Sequence, residues 1–500
     1  MKDKFNNAVG PQVRAPKAKA DKIIPALGVA SLVAGLQSAT QFFAHDFQYQ
    51  AVLGPHLNHV YAPWSILGWV GTWYGQYPDA IMRAGGIGMT VSAAGLLGLA
   101  VTKMVLANSA KLNPYLHGSA RWANVKDIEA SGLLPRPRSF WQLLTGKALP
   151  TSAGVYVGAW LDKQGKQRYL RHNGPEHVLC YAPTRSGKGV GLVMPTLLSW
   201  GESAVITDLK GELWSLTAGW RKQHAHNKVL RFEPASANGS VCWNPLDEIR
   251  TGTENEVGDV QNLATLIVDP DGKGLESHWQ KTGQALLVGV ILHALYKARN
   301  EGTAATLPAV DALLADPDRD ITELWMEMRT YGHIDGENHP AVGSAARDMM
   351  DRPDEEAGSV LSTAKSYLAL YRDPIVARNI SRSEFNIRDL MHHEQPVSLY
   401  IVTQPNDKAR LRSLVRIMVN MIVRLLADKM DFKDGRQVAH YKHRLLLMLD
   451  EFPSLGKLEI LQESLAFVAG YGIKCYLICQ DINQLKSRET GYGHDESITS

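Results

Sequence analysis

The sequence predicts an α/β fold: a parallel-sheet domain interrupted by an all-α segment and preceded by two membrane helices. Three observations predict it. Two long stretches near the amino terminus carry no charge. Short continuous apolar runs alternate with helical patterns through much of the rest. One of those runs leads into a glycine-containing loop, and another ends in two adjacent carboxylates.

Five hundred residues exceed one compact core, so more than one domain is expected. The net charge of +3 argues neither for nor against a nucleic-acid partner. Cys180, Cys242, Cys475 and Cys479 show no metal-ligand spacing and no disulfide framework. Cys475 and Cys479 lie on an apolar run and read as buried thiols. The bulk of the chain is expected in a reducing compartment.

The charge-free stretches are Ile23–Ala44 and Ala84–Thr102. A membrane helix needs about 20 such residues, and one charge at the bilayer centre costs roughly 2.5–3.5 kcal/mol. The flanks argue against two buried helices of a soluble domain. Lys2, Lys4, Arg14, Lys17, Lys19 and Lys22 precede the first stretch. Lys103, Lys111 and Arg121 follow the second, and no Lys or Arg occurs from His45 to Ala80. That is the positive-inside pattern, with both ends in the cytoplasm. Trp64, Trp69, Trp73, Tyr74 and Tyr77 between the stretches suit an interfacial aromatic belt. The first stretch is long for a secretory signal and lacks a clear small-residue cleavage site. Gly85, Gly86, Gly88, Ala94, Gly95 and Gly98 either seat a neighbouring helix closely or simply make a weakly hydrophobic span. The expected order is a cytoplasmic terminus over 1–22 and a membrane anchor over 23–110. Its helices fall at about 23–44 and 84–106, with a periplasmic loop at 45–80.

From Lys103 onward the chain is soluble in character. Leu134–Pro150, rich in proline and basic residues, reads as a linker or surface segment. "HVLCYAP" (His177–Pro183), "SAVITD" (Ser203–Asp208), "VSLYIVTQ" (Val397–Gln404), "RLLLMLDE" (Arg444–Glu451) and "IKCYLICQ" (Ile473–Gln480) read as strands. They are continuously apolar, as parallel strands covered on both faces must be. Leu411–Met430 and Leu458–Gly472 read as helices. From about Val257 to Arg388 strand signals fade, and His278–Asn300, "ITELWMEMRT" and "VLSTAKSYLALY" are helical. The sheet domain is therefore expected over 111–256 and 389–500, with an all-α segment over 257–388. No closing strand follows Gln480, so later sheet elements are expected to be missing from this sequence.

"YAPTRSGKGVG" (Tyr181–Gly191) joins a strand to an apolar helix, the setting a phosphate-binding loop requires. Against G-x-x-x-x-G-K-[ST], Ala182 replaces the first glycine and Gly189 the hydroxyl residue. Thr184, Arg185, Ser186, Gly187, Lys188, Gly189 and Val190 form the loop and the helix start. Backbone N–H groups of Arg185–Gly189 would cradle phosphates, and Lys188 would reach the β- and γ-phosphates. Gly189 has no hydroxyl for magnesium, so a water or another residue must take that place. "LLLMLDEF" (Leu445–Phe452) supplies the complement. Asp450 would face the magnesium shell, and Glu451 would polarise the attacking water. Loop and carboxylates together indicate a nucleotide site. Gln480 either senses the γ-phosphate from the next strand or is a polar strand terminus. Asp208 and Lys210 end another strand, where such sheets place ligands, although a structural turn suits them better. His172, His177, His392 and His393 read as surface or capping residues. Arg410, Arg412 and Arg416 share a helix that reads as a solvated face, with contact to a partner subunit's nucleotide or a nucleic acid as the alternative.

With these motifs the chain resembles the TraG-type coupling proteins of conjugative type IV secretion systems. The likeness covers nearly the whole length. It rests on the paired N-terminal helices and on "HGSARWA" (His117–Ala123), "YAPTRSGKGVGLV", "ITDLKGELW", "SLYIVTQPND", "LLLMLDEFPSLGKLEIL" and "GYGIKCYLICQDINQL". The loop of this branch commonly reads P-T-R-S-G-K-G, which makes Gly189 a family trait. The resemblance implies a RecA-like P-loop nucleotide-binding domain with an inserted all-α domain. It implies similarity to hexameric DNA motors that bind ATP and Mg at subunit interfaces, and an inner-membrane position. It also implies partners: the relaxosome, meaning relaxase bound to transfer-strand DNA, and inner-membrane components of the secretion channel. Single- and double-stranded DNA would be held mainly through phosphates, without sequence specificity. In that frame Lys188, Glu451 and Gln480 are the catalytic candidates and Asp450 the metal ligand; no arginine finger can be assigned. Gly189 keeps a second reading open, a nucleotide-switched receptor for the relaxosome that does not hydrolyse. A DNA-segregation type translocase would share the anchor and motor but lacks support from "HGSARWA" and "DEFPSLGKLEIL". A small-solute transporter is disfavoured by having only two spans.

Overall fold

Two helices of 27 and 32 residues, Ala20–Asp46 and Pro78–Ser109, dominate the first of two structural units in the chain. The structure is a computed structural model. It describes residues 20–109, 123–134, 154–162, 164–428, 431–433, 436–438, 440–487 and 491–493. Residues 117–122 of "HGSARWA" and 135–150 of the expected linker lie outside the described residues. The units are Met1–Trp122 and Ala123–Ser500.

In the first unit, Pro25–Asp46 and Pro78–Thr102 are long and apolar enough to cross a membrane. Only 22% and 11% of these spans are buried within the fold. A core helix of a soluble domain would be mostly covered, so the exposed apolar surface needs another apolar environment. The two helices touch through small residues. A Cβ on Gly35 would stand 1.9 Å from Ser92 Oγ, one on Gly88 2.8 Å from Ala39 Cβ, and one on Gly95 2.7 Å from Ser31 Oγ. Gly85, Gly86 and Gly98 face open space, so the close seating belongs to Gly88 and Gly95. The loop between the helices differs from a plain aromatic belt. Trp69 is buried with Phe43 and Tyr61 at ring distances of 5.4 and 5.1 Å, and its Nε1 donates to Leu53 O at 3.1 Å. Trp64, Tyr74 and Tyr77 remain exposed.

The second unit is built on a six-stranded sheet. Its strands are β3 (Val178–Tyr181), β4 (Ser203–Leu209), β5 (Lys228–Phe232), β6 (Val397–Thr403), β9 (Leu445–Leu449) and β10 (Ile473–Cys479). A hairpin, β1 (Val155–Leu161) and β2 (Gln167–His172), precedes it, and a short pair, β7 (Asp431–Lys433) and β8 (Arg436–Val438), precedes β9. The sheet order is β3-β10-β9-β4-β6-β5, with every pair parallel. β6, β9 and β10 are buried at every position, which is why they read as unbroken apolar runs. Alternate residues serve opposite faces: Val205, Leu399, Leu447 and Leu477 join one core, and Ile206, Tyr400, Met448 and Ile478 the other. The strand ending at Gln480 lies between the phosphate-loop strand and the Asp450–Glu451 strand, in a RecA-like P-loop arrangement.

Between β5 and β6 the chain builds helices. Glu256–Val268, His278–Glu301, Leu307–Ala315, Ile321–Thr330, Pro340–Met350 and Asp354–Leu368 pack on one another and share one hydrophobic core with one face of the sheet. Ser277 and Gln280 form a capping box at the start of the longest, and Gly302 ends it at φ 68°. The expected helix over Leu458–Gly472 is broken instead. It becomes a short helix, Glu459–Ser464, and a 3-10 turn, Val468–Tyr471, closed by Gly472 at φ 81°. The Leu411–Met430 pattern is realised as Lys408–Leu426.

Two buried polar clusters carry measurable consequences. Arg221 is fully buried, and its five N–H groups reach Ser398 Oγ (2.7 Å), Leu197 O (2.7 Å), Trp200 O (2.6 Å), Glu202 O (2.6 Å) and Asn227 Oδ1 (2.7 Å). Burial pushes its pKa down to about 10, so it is charged at neutral pH and held by neutral acceptors. Arg221→Met strands those acceptors and is expected to cost on the order of 3–5 kcal/mol in denaturant unfolding. Arg221→Lys recovers only part, because an ammonium has three donors.

In the helical segment His293 and His333 are buried and joined Nδ1 to Nε2 at 2.9 Å, with Glu327 3.5 Å from His293 Nε2. Burial pushes both down to about 4 from the usual 6.5; the Glu327 carboxylate opposes it at His293, and the neighbouring imidazoles of His293 and His339 add to it at His333. The unfolded chain therefore takes up protons that the folded chain refuses. Stability is full above about pH 6.5 and falls as pH drops toward 4. Denaturation midpoints measured across that window are expected to fall steeply, and to fall less steeply in His333→Gln.

Candidate nucleotide site

The phosphate loop leaves β3 with its pairing still in place: Ala182 N donates to Cys479 O at 2.9 Å. Ala182 is buried and keeps an ordinary negative φ. The left-handed positions of the loop are Arg185, at φ 62°, and Gly187, at φ 83°. The glycine missing at Ala182 is thus not needed there, whereas Arg185 carries strain. Gly189 begins the helical run to Leu197, whose first turn, Gly189–Val193, is π-helical. A Cβ at Gly189 would meet nothing within 4 Å, so crowding does not explain the missing hydroxyl. Val190 is 72% exposed.

Across the sheet, β9 delivers the two carboxylates. Glu451 stands at φ 53°, a left-handed position that turns it sharply after Asp450. Lys188 Nζ lies 3.1 Å from Asp450 Oδ1 and 3.0 Å from Glu451 Oε1. Gln480 Nε2 donates to that same Glu451 oxygen at 2.7 Å, and Thr184 Oγ1 donates to Gln480 Oε1 at 3.0 Å. Thr207 Oγ1 donates to Asp450 O at 3.0 Å and pins the strand end. Burial opposes the charge on Lys188, yet the Glu451 and Asp450 carboxylates outweigh it and hold its pKa above the usual value. Burial likewise raises Glu451, but the hydrogen bond from Gln480 and the Lys188 ammonium together keep it below the usual carboxylate range. The arrangement is a cation and two carboxylates at the mouth of a loop whose helix starts there, a combination suited to phosphate and a divalent cation.

Lys188, Asp450, Glu451, Gln480 and Thr184 therefore meet in one place, although Lys188 and Glu451 are 263 residues apart. Asp208 does not join them. It accepts from Trp214 N at 2.8 Å at the start of the Glu212–Gln223 helix, a structural turn. His177 accepts from Cys475 N at 3.0 Å and lies 2.9 Å from Leu465 O. The three arginines do not share one solvated face: Arg410 is exposed and Arg412 half-exposed, whereas Arg416 is buried. Arg410 pairs with Asp407 and Asp373, Arg412 with Asp271, and buried Arg416 donates to Leu455 O and Lys457 O at 2.7 Å. Helical spacing alone cannot reveal that a later loop covers Arg416. Thr207 was missed because a threonine inside an apolar strand gives no signal of its own.

A family model described as "Type IV secretory system Conjugative DNA transfer" matches residues 121–500. The chain belongs to this family. Among its relatives, a conjugal transfer protein TraG of Escherichia coli is 80% identical over 495 residues, 99% of this chain and 78% of that protein. The protein VirD4 of Agrobacterium fabrum is 30% identical over 376 residues, 74% of this chain and 51% of that one. The solved structure of the plasmid coupling protein TrwB in complex with ADP and Mg2+ overlays with a TM-score of 0.48 at 22% identity. That overlay covers 65% of this chain and 67% of the TrwB chain.

Proposed function

We propose that this family member is an inner-membrane, ATP-dependent coupling protein that links relaxase-bound transfer DNA to a type IV secretion channel during conjugation. The observation that carries the reading is the Lys188 ammonium held between Asp450 and Glu451 at the mouth of the phosphate loop. The residues present fit Mg–ATP: open space at Gly189, a loop cation and two carboxylates. Mg–ATP, when bound, supplies the phosphoanhydride whose cleavage drives transport. Lys188 exchanges its carboxylates for phosphate oxygens, and the amides of Arg185–Gly189 bind the rest of the phosphate chain. Asp450 would hold the cation. Glu451, freed from Lys188, accepts the proton of the attacking water, and Gln480 orients it.

The exposed apolar helices support membrane anchoring, with both termini cytoplasmic and residues 45–80 periplasmic. Residues 111–256 and 389–500 would form the motor, and 257–388 the helical segment facing substrate. A homo-hexamer around DNA is the assembly this reading takes. Gly189 favours the rival reading of a receptor that binds nucleotide without cleaving it. Steady-state ATP hydrolysis by the detergent-solubilised chain, with and without single-stranded DNA, tests the proposal. DNA-stimulated turnover is expected; tight nucleotide binding with no turnover under either condition would replace the motor with the receptor.

A further inference from the structure

Thr184 and Lys188 sit on the same loop and end on the same carboxylate oxygen by two routes. Lys188 Nζ reaches Glu451 Oε1 directly at 3.0 Å. Thr184 reaches it through Gln480: Thr184 Oγ1 donates to Gln480 Oε1 at 3.0 Å, and Gln480 Nε2 donates to Glu451 Oε1 at 2.7 Å. The circuit closes through the loop backbone, which holds left-handed turns at Arg185 and Gly187.

We infer that Thr184 is a positioning residue: it fixes the Gln480 amide so that filling of the phosphate loop is read at Glu451. The inference rests on the nucleotide reading of this site. The last torsion of a glutamine is broad, so hydrogen bonds rather than rotamer wells set the plane of its amide. With the amide reversed, Oε1 would face the Glu451 carboxylate and repel it. With the Thr184 hydroxyl removed, Gln480 Oε1 loses this donor and the amide is free to turn away from Glu451. Thr184 is solvent-exposed at the loop tip, where phosphate oxygens compete for its hydroxyl as they compete for Lys188. A filled loop then alters both routes to Glu451 together.

A double-mutant cycle in the full chain tests this, using Thr184→Val, Gln480→Ala and the pair, with Thr184→Ser as the rescue. Two quantities are read: kcat for ATP, and the ratio of affinities for a non-hydrolysable ATP analogue and ADP. Thr184→Val is expected to lower kcat about tenfold, the worth of one hydrogen bond to an active-site group. Thr184→Ser is expected to recover kcat. The pair is expected to be no worse than Gln480→Ala alone in either quantity. Effects that multiply would overturn the inference, as would a Thr184→Val defect confined to ADP affinity. The affinity ratio needs no turnover. A protein that binds nucleotide without cleaving it therefore sinks the motor reading, while coupling or additivity in the ratio still decides the role of Thr184.

Discussion

Glu451→Gln is expected to bind nucleotide at least as well as the parent chain and to hydrolyse it about 10²–10⁴-fold more slowly, the usual worth of a positioned general base. Binding survives because the substitution removes a competitor. Glu451 now occupies Lys188 from 3.0 Å and is itself held ionised by Lys188 and Gln480. A neutral amide loosens that grip on the ammonium and leaves it for phosphate, so affinity rises or holds. The Lys188–Asp450 pair at 3.1 Å persists, which keeps the metal side of the site charged. Asp450→Asn is the contrast: it spares the base and weakens magnesium, so its defect shrinks as magnesium is raised. Single-turnover kinetics beside fluorescent-nucleotide binding separate the two. Unchanged turnover in Glu451→Gln would remove it as the base.

Much of this site was legible because its parts are local. β9 and β10 are short apolar runs buried on both faces, and each ends in the polar residues that matter, Asp450–Glu451 and Gln480. The loop before Lys188 carries its own punctuation. What was not legible is either edge structure or contact at long range. β5 mixes charged and apolar residues in "KVLRF" because it closes the sheet and is covered less fully. The β1–β2 hairpin went unread: β1, "VYVGAWL", is an apolar run but is buried only at Val155 and Tyr156, and its partner "QRYLRH" is polar and partly exposed. The helix expected across Leu458–Gly472 breaks after Ser464, and the separate 3-10 turn that follows is closed by Gly472 in a left-handed φ. The Thr184–Gln480 bond joins residues 296 apart, and the burial of Arg416 depends on a loop 39 residues away. Neither distance leaves a mark in local spacing. The same holds for the membrane unit. Charge-free length announced the helices, but only the packed pair shows that Gly88 and Gly95 face a neighbour while Gly85, Gly86 and Gly98 do not.

Lys188→Ala is expected to abolish DNA transfer in a mating assay while leaving the protein in the membrane fraction at parental levels. Two losses combine. The loop forfeits its only ammonium, and removing one preorganised donor from developing phosphate charge costs about 10²–10³-fold by itself. The carboxylates also forfeit their common partner. Burial already raises the Glu451 pKa, and Lys188, with Gln480 and Lys408, pulls it back down. Without it Glu451 moves up, so the fraction ready to accept a proton falls at a given pH. The sign for folding follows. In the parent chain the depressed Glu451 contributes stability that is present above the ordinary carboxylate range and lost as pH falls through its folded value; Lys188→Ala removes that contribution. The variant's unfolding should therefore depend less on pH in the acidic range than the parent's, in addition to the loss of transfer. Transfer at parental frequency would show that the Lys188 cation is not what holds the phosphate, and the assignment of the loop would fall with it.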